Sequence, residues 1–85
     1  MDFATAWSTF AIGAQVTVSN GLPPPSDKTD GLPYMAWRSH NFTGTLTAKL
    51  NGAFRQMSFN LAADENGNII GYVVAEAVTH TFTAA

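Results

Sequence analysis

Eighty-five residues suffice for one small domain, and a domain of this size buries only about 60% of the surface its extended chain exposes. Apolar residues make up 46% of the chain and charged residues 12%, roughly half the charged share usual for a globular domain, so part of the surface is expected to be covered in an oligomer. A formal charge of -2 without any cluster of lysine and arginine argues against nucleic acid, and the absence of cysteine excludes disulfides and thiolate chemistry.

At the amino terminus, Asp2 and the lack of a basic residue before Lys28 do not fit a secretory leader, although a chain already processed would look the same. No apolar run approaches the roughly 20 residues of a membrane helix, so a soluble chain without membrane contact is expected. Phe3 and Trp7 stand out of phase with the segment that follows. The expectation is a separate short strand or a bulge near Ser8 or Thr9, with a short helix over residues 2–10 as the alternative.

From Phe10 to Val18, Phe10, Ile12, Ala14, Val16 and Val18 fall on one side of a period-two pattern, which predicts a half-buried strand. Residues 20–33, NGLPPPSDKTDGLP, hold all four prolines and cannot form a ladder; Asp27 and Asp30 are expected to serve as turn formers, as is Asp64 further on. A connection this long suggests a lid, a crossing loop or an arm that embraces a neighbouring subunit. Asn41-Phe42-Thr43 matches a glycosylation triplet, but such triplets arise often by chance and this one sits inside an expected strand.

Residues 42–61 alternate on both sides of Asn51-Gly52, the composition of a two-residue turn with positive φ at both positions. That turn would pair Leu46 with Met57, Gly44 with Phe59, Ala48 with Arg55 and Phe42 with Leu61, leaving a face that is apolar or glycine except for Arg55. A second hairpin through residues 63–68 would pair Leu61 with Tyr72, Phe59 with Val74 and Met57 with Glu76, and a wider loop would shift this register by two residues without changing the face. Residues 69–83 are long for one strand. They are expected to pair with the preceding hairpin in their first half and with the amino-terminal strand in their second. The predicted fold is a single all-β domain, either a small antiparallel barrel or a strongly twisted antiparallel sheet of about four to five strands.

Under this register Arg55, Glu76 and His80 share a face, and His40 continues the phase of Phe42. An arginine beside a carboxylate with a histidine nearby can hold a polar ligand, or the pair can be a structural salt bridge at the sheet end. The two histidines lack metal-ligand spacing, and no nucleophile elbow, phosphate loop or calcium loop is present, so no metal, cofactor or catalytic residue is assigned. Whether the chain is an enzyme stays open. Trp7, Tyr34, Trp37 and Phe54 are the candidate interface residues, because aromatic rings bury large areas at low entropy cost. The expected function is a noncatalytic structural or interaction module that associates with itself or another protein. The alternative is a small barrel that binds or transforms a compact organic molecule near Arg55, Glu76 and His80.

Overall fold

The computed structural model describes residues 1–26 and 31–85, so Asp27, Lys28 and Asp30 lie outside the described residues. The elements run in the order α1 (Phe3–Thr9), β1 (Gln15–Ser19), α2 (Leu32–Arg38), β2 (Phe42–Asn51), β3 (Arg55–Asn60), β4 (Gly71–Ala75) and β5 (Thr81–Ala84). The strands form one antiparallel sheet in the order β4-β3-β2-β1-β5. The sheet is open, which corrects the barrel alternative. Closure would need the free edges of β4 and β5 to meet, but Phe82 in β5 already commits its outward groups to Met1. The Met1 amino group donates to the Phe82 carbonyl at 2.8 Å, and the Phe82 N–H donates to the Met1 carbonyl at 2.9 Å. Among the described residues no helix is long and apolar enough to cross a membrane.

The first segment is a helix, not a strand or bulge. Asp2 caps it, its carboxylate accepting from the Thr5 N–H at 2.8 Å. Phe3, Ala6, Trp7 and Phe10 follow the i, i+3, i+4, i+7 spacing of one helical face, and Phe3, Ala6 and Phe10 are buried in the core. The strand expected from Phe10 is correspondingly shorter. Phe10 ends α1 through its N–H to the Ala6 carbonyl, Gly13 turns the chain at φ 98°, and only then does β1 begin. Val16 and Val18 face the core, as the alternation predicts, whereas Ile12 is exposed.

The β2–β3 hairpin keeps the expected face but not the expected turn. Asn51 pairs with Arg55, so the connection is the three residues Gly52, Ala53 and Phe54, and Gly52 does not have positive φ. A register irregularity between Leu46 and Ala48 sets Leu46 opposite Phe59 and Lys49 opposite Met57. An extra residue in one strand reverses which side chains point inward beyond it. Leu50 is therefore exposed, and Lys49 turns toward α1, where its Nζ donates to the Trp7 carbonyl at 2.7 Å. That carbonyl lies in the last turn of α1, whose acceptors have no partner within the helix. Leu46, Met57 and Phe59 are all fully buried, so the face survives the change of partners.

Between β3 and β4 the loop is the wider alternative, and the register is displaced by two residues: Phe59 faces Tyr72 and Met57 faces Val74. The tail divides as expected, β4 beside β3 and β5 beside β1, with residues 76–80 crossing between them. The second helix departs from the expectation. Residues 32 and 33, which the sequence places in the proline-rich connection, open α2, where Pro33 takes an early position that needs no donor within the helix.

Candidate functional site

Arg55 enters the site from the first position of β3, and Glu76 from the residue that follows β4. They lie directly across from each other, the Glu76 N–H donating to the Arg55 carbonyl at 3.0 Å. The expected diagonal relation thus becomes a direct one, through the two-residue register displacement. Arg55 Nε donates to Glu76 Oε1 at 2.9 Å, and a second guanidinium nitrogen donates to Oε2, closing a bidentate fork. The guanidinium carbon stands 5.3 Å from the Trp7 ring centroid and 5.8 Å from that of Phe3. Arg55 sits on the oily face because it spreads its planar cation over two rings of α1 and keeps its counter-charge at the rim. The side chains remain 31% and 38% exposed, so neither charge is stranded in the core. The hydrogen bond from Arg55 holds the Glu76 carboxyl below the usual carboxylate range, against a smaller opposing effect of burial.

His80 is the one buried polar residue among those described. Its Nδ1 lies 3.2 Å from the Val78 carbonyl, an atom that can only accept, so Nδ1 carries the hydrogen. In the neutral ring Nε2 is then an acceptor. It lies 2.9 Å from Nδ1 of His40, which must donate. The rings stack with centroids 5.1 Å apart at 23°. Burial pushes the His80 pKa down, the Val78 hydrogen bond partly opposes this, and the nearby His40 adds to it.

Glu76 and His80 both border an open cleft of about 240 Å³, together with Asp2, Thr79, Phe3 and Val78. Arg55 and His40 do not line it and reach it only through their partners. The structure thus joins the four candidate ligand residues as two pairs around one cleft. Such a cleft offers two carboxylates, one hydroxyl and a neutral imidazole whose nitrogens are both engaged. It can accept hydrogen bonds from a small cationic or hydroxylated molecule. Among the described residues no three metal-ligating side chains gather.

The aromatic candidates separate. Trp7 is half-buried, stacked on Phe3 at 6.0 Å, and belongs to the core rim. Phe54 is exposed at the hairpin tip. Tyr34 and Trp37 lie on α2 with ring centroids 5.8 Å apart, and the Trp37 indole N–H donates to the Leu22 carbonyl at 2.9 Å. No residue of α2 is buried.

Sequence reasoning missed Asn41, which anchors this arm. Its Oδ1 accepts from the Ser19 hydroxyl and the Asn20 N–H, while its Nδ2 donates to Asn20 Oδ1 and to the Trp37 carbonyl. The amide that the glycosylation triplet would modify is fully engaged in holding the two ends of the 20–41 excursion together. The available signal was chemical: a strand-end asparagine facing an Asn-Gly pair across the excursion. No protein-family model, curated protein or solved structure matches this chain.

Proposed function

We propose that the protein is a noncatalytic interaction module that assembles with copies of itself, using α2 and the neighbouring Leu22 as its contact surface. One observation carries this reading: α2 is held in a defined place while burying none of its own residues. A seven-residue helix is marginal in water without packing to support it. Here Asn41 and the Trp37–Leu22 hydrogen bond fix it, and Leu32, at 84% exposure, Met35 and Leu22 stand uncovered beside Tyr34 and Trp37. Aromatic and methionine side chains are enriched at interface centres, and an arm ordered in advance loses less entropy on docking.

Trp37 is the central anchor, but its indole also ties the arm down, so its replacement would disturb two things at once. Leu32 is the cleaner probe. Sedimentation velocity across a concentration series should show the sedimentation coefficient of the parent protein rising, and Leu32→Asp should raise the dissociation constant by at least about tenfold. A parent protein that stays monomeric at the highest concentration contradicts the reading.

The runner-up, binding or transformation of a compact organic molecule, draws on the shared position of Glu76 and His80 at the cleft. Titration with small primary amines, followed by amide chemical shifts of residues 76–80, tests it. Shifts confined to the cleft support it, and no saturable shift removes it.

A further inference from the structure

The two edges of the sheet are treated differently. At the β5 edge, Phe82 has its outward N–H and carbonyl bonded to Met1. Among the described residues the β4 edge is covered only at its Ala75 end, where the Val78 N–H donates to the Ala75 carbonyl.

Glu76 bonds to Arg55 and Ile70 to Leu61 across the β3–β4 pair. The strict alternation of antiparallel bonding then turns Gly71, Val73 and Ala75 outward, with their N–H and C=O groups toward the open edge. The Ala75 carbonyl accepts from the Val78 N–H at 3.2 Å; the alternation leaves the outward groups of Gly71 and Val73 without a ladder partner among the described residues. Exposed edges in monomeric proteins are commonly blunted by lysine, proline, a bulge or an inward charge. The sequence Gly71-Tyr72-Val73-Val74-Ala75 has none of these, and Val73 is 57% exposed.

We propose that β4 is a docking edge that pairs antiparallel with β4 of a second copy of this chain, joining two five-stranded sheets into one. This deepens the self-assembly reading, on which it rests for the identity of the partner, while using a different surface. The strand is complementary to itself. A two-fold axis at Val73 sets Val73 against its own copy as a hydrogen-bonded pair and Gly71 against Ala75 on either side. Tyr72, half-buried against Phe42 at 5.0 Å, then comes opposite Val74 of the second copy and extends the core face. Glu76 falls opposite Ile70 of the second copy, so no like charges meet. Between Gly71 and Ala75 the edge carries no charge, and a second β4 matches it in length and neutrality.

The experiment compares the full chain with Val73→Lys and Leu32→Asp, by sedimentation equilibrium and by hydrogen exchange at dilute and concentrated protein. Val73 points away from the core, so the lysine variant should fold, which its amide spectrum checks. The proposal expects Val73 and Gly71 amides to exchange slowly only in the concentrated sample, and Val73→Lys to raise the dissociation constant at least about tenfold. Fast exchange of Val73 at every concentration, or assembly unaffected by Val73→Lys, overturns it. Loss of assembly in Leu32→Asp with Val73→Lys unaffected sinks the edge and keeps the arm. The reverse pattern keeps the edge and sinks the arm, and a parent protein that is monomeric throughout removes both.

Discussion

His40 and His80 lie forty residues apart in the chain and 2.9 Å apart in space, ring nitrogen to ring nitrogen, with the rings stacked. One sits at the junction between α2 and β2, the other in the crossing from β4 to β5. The bond therefore ties the base of the exposed arm to the segment that spans the sheet's two edges. Only a ring with a bare nitrogen can receive the hydrogen that His40 offers. Protonation of His80 would turn its Nε2 into a donor, and the hydrogen bond could then persist only if His40 Nδ1 gave up its own hydrogen.

This relation gives the stability a definite pH dependence. The folded pKa of His80 lies below its ordinary value of about 6.5, so the unfolded chain takes up the proton more readily than the folded one. The contribution is fully present above the unfolded value and is lost as pH falls from there through the lower folded value. Thermal unfolding should show a constant midpoint contribution above about pH 6.5 and a decline below it. In His80→Gln that decline should shrink, even though the variant is less stable at neutral pH. An unchanged slope from about pH 7.5 down to about pH 5 would assign the decline to groups other than His80.

Arg55 and Glu76 contribute in a different window. The folded carboxyl pKa lies below the ordinary value of about 4.3, so the pair's contribution is present above that value and is lost as pH falls through the lower folded one. Because both side chains are about a third exposed, solvent screens the charge pair, and the rings beneath Arg55 decide the larger effect. Arg55→Ala, which uncovers Phe3 and Trp7, should lower the unfolding midpoint more than Glu76→Gln. Arg55→Met should recover part of the loss by covering the rings again. Equal losses for Arg55→Ala and Glu76→Gln, with no recovery in Arg55→Met, would mean that the charge stabilises more than the cover does.

Two glycines of the same hairpin should behave oppositely. A Cβ at Gly44 would lie 2.9 Å from the Asn60 carbonyl oxygen and 3.4 Å from Phe59 Cβ, contacts made by backbone and core that cannot move aside. Gly44→Ala should cost about 1–3 kcal/mol. At Gly52, where the sequence suggested a turn with positive φ, φ is not positive and a Cβ meets nothing within 4 Å. Gly52→Ala should therefore stay within about 0.5 kcal/mol of the parent in urea unfolding. A large loss at Gly52 would restore the tight two-residue turn.

What the sequence determined by itself was facing. Val16, Val18, Phe42, Leu46, Met57, Phe59, Val74 and Phe82 are buried where period-two alternation put them, because a strand can satisfy an oily core on only one side. The same alternation split the tail between two neighbours and brought Arg55 and Glu76 to one end. Facing is insensitive to displacements of two residues, however, so exact partners were beyond its reach, and the Leu46–Phe59 and Phe59–Tyr72 pairs emerged only in three dimensions.

Tertiary structure decided wherever the stabilising partner was distant. α1 had its own stripe and its Asp2 cap, but Lys49 and Arg55 hold it from the hairpin, at a bulge that local turn chemistry did not announce. Asn41 acquired its role from groups on both ends of the excursion, and His40 met His80 only after the tail had crossed the sheet. At the β5 edge Phe82 bonds to Met1, while among the described residues the outward groups of Gly71 and Val73 on β4 have no ladder partner. A pattern of apolar residues carries no information about which of several distant groups reaches a backbone donor first.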